Sequence, residues 1–252
     1  MITAIIGGTG LEAMQGLVIK KREAITTPFG APSAPLAFAE LDGAEVIFLP
    51  RHGDHHELAP HQINYRANLW ALKEAGAKQV IAVAAVGGIT AAMAPEMLII
   101  PDQIIDYSWG RESTFFDGDH APVDHIDFTY PYDESLRQQL ISTAEQQRIS
   151  CVTSGVYGTT QGPRLETAAE IVRMERDGCD IVGMTGMPET VLAKELQLSY
   201  ACCALVVNWA AGKTDALITM EQIQQHVDNA QDQVKRLLET LIRGDSNGVF
   251  RG

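Results

Sequence analysis

Long apolar runs are missing from this sequence. No stretch approaches the roughly 20 residues that a membrane-spanning helix needs, so no membrane partner is expected. The first residues, Met1-Ile2-Thr3-Ala4-Ile5-Ile6 and then Gly7, carry neither a basic region nor an apolar stretch of signal-peptide length, and a cytoplasmic location is the expectation. Cysteine is scarce. Cys151, Cys179, Cys202 and Cys203 have no metal-ligand spacing and do not form the framework of a small secreted domain, which suits a reducing compartment. Positive charge is outnumbered, with 19 Lys and Arg against 32 Asp and Glu and a net charge of −13. Such a chain repels nucleic acid and anionic membranes, so a small anionic substrate would need a local cationic pocket. Repeats, linkers and low-complexity segments are also lacking, and residues 1–252 read as one domain.

What is present is an alternation of short β-rich runs with helical patterns, the sequence form of an α/β fold with a central mixed, mostly parallel twisted sheet flanked by helices. Strands are predicted at Thr3 to Ile6, Glu45 to Leu49, Gln79 to Ala84, Met97 to Ile105, Val152 to Tyr157, Asp180 to Met184 and Tyr200 to Val207. Helices are predicted at Asn64 to Ala75, Glu134 to Gln147, Glu166 to Asp177 and Glu189 to Leu196. A long amphipathic helix closes the chain, with Met220, Ile223, Val227, Ala230, Val234, Leu237, Leu238 and Leu241 at helical spacing. The aperiodic stretch from Tyr107 to Tyr132 is too long for an idle connection and reads as a functional loop or an interface element.

Six segments can carry chemistry. The first strand runs into "IIGGTGLE", where a glycine turn lets backbone N–H groups and the Thr9 hydroxyl approach an anion, or simply turns the chain. "LPRHGDHHELAPHQINYRAN" follows the second strand and puts Arg51 and His52 at the carboxyl edge of the sheet, with Arg51 as a bidentate oxyanion clamp. His52, His55, His56 and His61 invite a metal reading, but no cysteine is near and no His-Glu-x-x-His helix is written, so no metal is expected. "AAVGGIT" offers backbone N–H groups around Ala84 and Ala85, or an ordinary turn closing the strand. In "YGTTQGPRLETAAEI", Glu166 opens a helix, which also reads as ordinary N-terminal helix charge. "DIVGMTGMPETVLAKE" places Met184 and Thr185 at a strand end before a helix that starts at Pro188 and Glu189. "LVVNWAAGK" ends a buried strand in Asn208, whose amide must find partners, in a ligand or internally.

In this order, and over nearly the whole chain, "IIGGTGL", "RHG" with "NYRAN", "VGG", "GPRLETAAE", "GMTGMPE" and "NWAAG" resemble the methylthioadenosine phosphorylase branch of the trimeric purine-nucleoside phosphorylases. The resemblance implies a phosphate site at Thr9, Arg51, His52, Ala84, Ala85 and Thr185, with Ala84 standing where some relatives carry threonine. It implies a ribose contact at Met184 with His56 nearby, a base site at Leu165, Glu166 and Asn208, and a 5′-group contact at Met220 and Ile223. It also implies that His125 reaches a neighbouring subunit's site, so that a homotrimer shares its active sites. Inorganic phosphate is then the co-substrate, and neither cofactor nor metal is needed.

Adenine-specific relatives carry Asp where Asn208 stands and another where this chain has Ala210. A 6-oxopurine presents acceptors at O6 and N7 and a donor at N1, which Asn208 as donor and Glu166 as acceptor complement. Apolar Met220 and Ile223 suit a methylthio group better than a hydroxyl. Phosphorolysis of S-methyl-5′-thioinosine is therefore the expected activity, through an oxocarbenium-like transition state, with Asn208, Glu166 and Arg51 in the catalytic roles. Phosphorolysis of inosine and guanosine or of methylthioadenosine are the neighbouring alternatives. A silent nucleoside-binding protein and a metalloenzyme built on the histidines are those from other classes.

Overall fold

The computed structural model describes residues 2–8, 11 and 14–246. Its strands are β1 (Ile2–Gly7), β2 (Leu17–Glu23), β3 (Leu36–Leu41), β4 (Ala44–Pro50), β5 (Ala77–Gly88), β6 (Leu98–Ile99), β7 (Gln103–Asp106), β8 (Cys151–Val152), β9 (Val156–Thr159), β10 (Ile181–Gly183) and β11 (Ser199–Trp209). The helices are α1 (Tyr65–Glu74), α2 (Glu134–Gln146), α3 (Ala168–Arg176), α4 (Gly186–Glu195) and α5 (Met220–Ser246). All eleven strands join one mixed sheet whose main path is β2-β3-β4-β1-β5-β10-β9-β7, with β11 on β5 and leading to β6 and β8.

Strand periodicity sorts side chains to the two faces of this sheet. Ala4, Ile6, Ile47, Leu49, Val80, Ala82, Cys202 and Ala204 face one core, packed with Leu69 and Leu72 of α1 and Leu192 of α4. The residues between them, Ile5, Val46, Phe48, Ile81, Ala201 and Cys203, face a second core with Leu140 of α2 and Leu237, Leu238 and Leu241 of α5. Three layers, helix on sheet on helix, result.

Several boundaries differ from the sequence expectation. The β2–β3 hairpin was not predicted, because β2 reads Leu-Val-Ile-Lys-Lys-Arg-Glu and is exposed along an edge, where charge discourages further pairing. The single strand expected from Met97 to Ile105 is two, β6 and β7, with Pro101 between them. The run from Val152 to Tyr157 likewise divides into β8 and β9 around Gly155. The turn expected at Gly87 and Gly88 is the end of β5 itself, and both glycines are paired.

Candidate functional site

Strand β5 is the axis of the site. Along one edge it pairs with β11 from Gln79 to Gly88. Its other edge is shared. β1 runs parallel to it only as far as Ile6 opposite Ala82, while β10 runs antiparallel with Val182 opposite Gly87. The carboxyl ends of β1 and β10 therefore point at each other across a gap beside Val83, Ala84, Ala85 and Val86. Ala85 is exposed between buried neighbours, as expected where a central strand opens onto solvent.

The gap draws polar groups together. Gly8 continues β1 into it, and Thr185 follows β10, with Met184 half-buried just before. Thr9 lies outside the described residues. Arg51 enters from the end of β4, its backbone N–H donating to the Gly7 carbonyl at 2.9 Å. The Val83 carbonyl faces the gap, so the Ala84 N–H of the same trans peptide points the other way, toward β11, and of the two expected backbone donors the Ala85 N–H is the one that faces the gap, with the Thr185 and Arg51 side chains.

Arg51 does not present the open fork that the sequence suggested. It is 2% exposed, and its Nε–H and Nη2 donate to Glu189 Oε2 and Oε1 at 2.6 and 2.9 Å. Nη1 donates to the Val83 carbonyl at 2.9 Å and Nη2 to the Ile6 carbonyl at 3.3 Å. Four of the five guanidinium N–H groups are thus taken, and one on Nη1 is left for a ligand. Burial works against the Arg51 charge, but the attraction and hydrogen bonds of Glu189 outweigh it and hold the guanidinium protonated. Glu189 is fully buried and accepts a third hydrogen bond from Tyr200 Oη at 2.8 Å. The sequence reading placed Glu189 at the start of a helix. It lies inside α4, whose first turn begins at Gly186, and its job is to hold Arg51.

His52 stands next to this pair. Its Nδ1 lies 2.8 Å from the Leu58 carbonyl, which can only accept, so Nδ1 carries the proton and Nε2 is the free acceptor of the neutral ring. Burial lowers its pKa to about 4, the Leu58 hydrogen bond opposes the shift, and the charge of Arg51 and the nearby His56 add to it. His56, exposed and at φ 58°, stacks on the His52 ring at 4.6 Å between centroids. Among the described residues no three His, Cys, Asp or Glu side chains gather to hold a metal ion.

The second half of the site lies one step along the sheet. A β-bulge in β11 between Val206 and Asn208 sets Asn208 opposite Gly87, and bulges re-aim side chains in this way. The Asn208 Nδ2 donates to the Trp209 carbonyl at 2.7 Å. A Cβ on Gly87 would lie 3.3 Å from that nitrogen, a tight contact that the glycine avoids. Ala210 is 3% exposed and its backbone N–H donates to Gly88.

Glu166 does not open helix α3. Thr167 is the N-cap, in a capping box with Glu170, and Glu166 precedes it. Its carboxylate instead accepts from Thr160 Oγ1 at 2.6 Å, while the Thr160 N–H donates to the Gly183 carbonyl at the end of β10. Glu166 is thus anchored to the segment that follows β9 and Asn208 to the end of β11, strands separated in the sheet by β10 and β5. Glu166 also lines a cavity of about 430 Å³ with Tyr107, Trp109, Gln161, Arg164 and Arg173, whose wall does not include Asn208. Another, of about 390 Å³, reaches Gly7, Gly8 and Pro50. The gap beside β5, where the donors converge, has the stronger claim to chemistry than either.

Other expected positions are more peripheral. Leu165 is 41% exposed, and Met220 at the start of α5 is 73% exposed. The helical spacing had put Met220 with the buried stripe, which begins in earnest only at Ala230, with Ile223 and Val227 half-buried before it. His125 is exposed in the connection between β7 and α2, its backbone N–H held by Asp124 Oδ1 at 2.8 Å. Two residues that the sequence reading passed over stand out. Glu189 was detectable as a carboxylate in an apolar helix, since such a group demands a cation. Arg111, in the aperiodic loop, gave no signal.

Comparison with known proteins agrees with this architecture. The model of the phosphorylase superfamily matches residues 2–243. A probable S-methyl-5′-thioinosine phosphorylase of Pseudomonas syringae pv. tomato is 53% identical over 96% of this chain and 98% of its own length. The 6-oxopurine nucleoside phosphorylase of Pyrococcus furiosus is 40% identical over 95% of this chain and 91% of its own. Methylthioadenosine phosphorylase from Schistosoma mansoni, solved with adenine, superimposes with a TM-score of 0.92 at 29% identity, covering 98% of this chain and 92% of that one. The chain belongs to the phosphorylase superfamily and is a pentosyltransferase of the purine-nucleoside phosphorylase type.

Proposed function

We propose that this enzyme phosphorolyses S-methyl-5′-thioinosine to hypoxanthine and 5-methylthioribose 1-phosphate in the cytoplasm. The observation that carries the choice of base is the trio at the base side: Asn208 turned by its bulge, buried Ala210 beside it, and Glu166 held by Thr160. An amide donor and a carboxylate acceptor match the O6, N7 and N1–H edge of a 6-oxopurine. An adenine N1 facing an ionised Glu166 would set two acceptors together, an arrangement that discriminates strongly. The likeness to the probable S-methyl-5′-thioinosine phosphorylase of Pseudomonas syringae supports the same substrate.

Phosphate sits in the gap, held by the N–H group of Ala85 next to Ala84, by Thr185, by Thr9, beside His52, and by the one free N–H of Arg51. A phosphate oxygen forms the bond to the anomeric carbon as the bond to N9 breaks. The base leaves with that electron pair. Asn208 stabilises the charge that grows on N7, Glu166 fixes the ring through N1–H, and water supplies the proton the departing base takes up. Met184 lies against the ribose with His56 near it, Leu165 borders the base, and Met220 and Ile223 face the 5′ substituent. His125 completes the site of a neighbouring subunit in a homotrimer. No metal or organic cofactor enters these steps.

Phosphorolysis of inosine and guanosine is the second reading, favoured by the exposure of Met220, which leaves the 5′ contact short of apolar cover. A panel of methylthioinosine, inosine, guanosine and methylthioadenosine, each with and without phosphate, separates the possibilities by the free base released. Phosphate-dependent hypoxanthine release, fastest from methylthioinosine, is expected. Adenine release outrunning it would overturn the base assignment.

A further inference from the structure

Arg111 lies in the long connection between β7 and α2, outside every segment that carries the family resemblance. Its Nε–H donates to Gln161 Oε1 at 3.1 Å, and Nη2 to the carbonyls of Thr160 and Gln161 at 3.1 and 2.9 Å. Nη1 donates to the Met184 carbonyl at 2.9 Å and to the Met187 carbonyl, with Tyr65 Oη at 3.4 Å. All five N–H groups are used, and none of these acceptors is a carboxylate. The guanidinium plane also lies over the Tyr65 ring, 5.5 Å from its centroid.

The acceptors belong to two strand ends. Thr160 and Gln161 follow β9, and the Thr160 hydroxyl is the one that holds Glu166. Met184 follows β10, Met187 lies in the first turn of α4, and Thr185 stands between them. The last backbone pair joining the two strands is Thr159 with Gly183. Beyond it, the Thr160 N–H and hydroxyl both reach the Gly183 carbonyl, at 2.8 and 3.3 Å, and the Arg111 side chain ties Thr160 and Gln161 to Met184 and Met187.

We propose that Arg111 is a positioning residue that keeps the base-holding arm after β9 in register with the ribose- and phosphate-holding turn after β10. The inference rests on the phosphorylase site assigned above. Nucleophile and leaving group are held by different strand ends, so their alignment depends on the tie between those ends. A rigid planar fork is required. Lysine has three donors on one atom and cannot span acceptors on both arms in one plane.

The test is steady-state phosphorolysis of methylthioinosine by the full-length Arg111→Lys and Arg111→Met variants, with wild type in the same assay. Misplacement of about 1 Å is worth on the order of 100-fold in rate, so kcat is expected to fall about 30- to 100-fold while both KM values stay within about threefold. In Arg111→Ala, added guanidinium ion is expected to restore part of kcat in a saturable way that ammonium ion does not. A role in stability alone would lower Tm and leave kcat per folded enzyme intact. A folded Arg111→Met with kcat near that of wild type overturns the proposal. Should these variants fold poorly, Gln161→Ala removes the acceptor that the Arg111 Nε–H shares with the Trp109 N–H while leaving the four backbone carbonyl acceptors of Arg111 in place, and is expected to lower kcat several-fold, and an unchanged kcat there overturns it equally. If wild type releases no hypoxanthine, the substrate reading fails by itself, and the same comparison is made with whichever purine nucleoside wild type cleaves.

Discussion

Replacing Glu189 by leucine removes a carboxylate that no solvent reaches and strands the Arg51 guanidinium, itself 2% exposed, without its counter-ion. Three hydrogen bonds go with it, two from Arg51 and one from Tyr200. Breaking a buried pair by removing one partner is destabilising by about 3–5 kcal/mol, because the remaining charge stays buried and unpaired. For a chain of this size each kcal/mol moves Tm by roughly 2–4 °C, so a fall of roughly 6–20 °C is expected. The double variant Arg51→Met/Glu189→Leu replaces both charges with apolar groups and should recover most of that loss. Urea denaturation of wild type, both single variants and the double variant, followed by far-UV circular dichroism, gives the coupling directly. The double variant should fold and yet show a sharply raised phosphate requirement, since the free Arg51 N–H is gone. If Glu189→Leu is as stable as wild type, or the double variant no more stable than the single one, the pair is not the coupled unit described here.

Asn208→Asp with Ala210→Asp should move the kcat/KM ratio toward methylthioadenosine by roughly ten- to a hundred-fold, the range of one or two buried hydrogen bonds gained or left unmade. If activity on both nucleosides merely falls together, the base-recognition argument is wrong. His52 gives a pH dependence of known sign. Its pKa is lowered from 6.5 to about 4, so between those values the unfolded chain binds a proton that the native ring refuses. Its contribution to stability is therefore complete above about pH 6.5 and is lost as pH falls toward 4. Urea melts of wild type and His52→Gln at pH 5 and pH 7.5 should show the smaller acid loss in the variant, and equal losses in both would exclude His52 as the source.

The parts of the fold that were legible are those where burial on both faces left little choice of residue. β1, β4, β5 and β11 read as nearly continuous apolar runs because helices cover both sides of them. β2 failed the same test because it lies at an edge and carries Lys20, Lys21, Arg22 and Glu23. Helix α3 was placed two residues early. Glu166 looks like first-turn helix charge in sequence, and only the Thr167 capping box shows where the helix begins. The gap in β5 was not legible at all. It follows from β1 and β10 sharing one edge in opposite directions, a fact of pairing that leaves no trace in the local pattern.

Charge explains why Arg51 was found for a reason that the geometry changes. A chain of net charge −13 that takes an anion suggests a cationic pocket, and Arg51 is the obvious cation at the sheet edge. Yet its charge is already matched by Glu189, so the pair brings little net attraction. What it brings is fixed geometry: with four of its N–H groups locked on Glu189, Val83 and Ile6, the fifth has one direction left. The neighbouring Ala85 N–H is held just as firmly, because the β11 ladder fixes β5 along its other edge. Affinity for the oxyanion then comes from donors that need no reorganisation, which is the form of electrostatic stabilisation that acts most strongly as charge moves during a reaction. The same reasoning makes the buried carboxylate in α4 as necessary to the site as the arginine it holds.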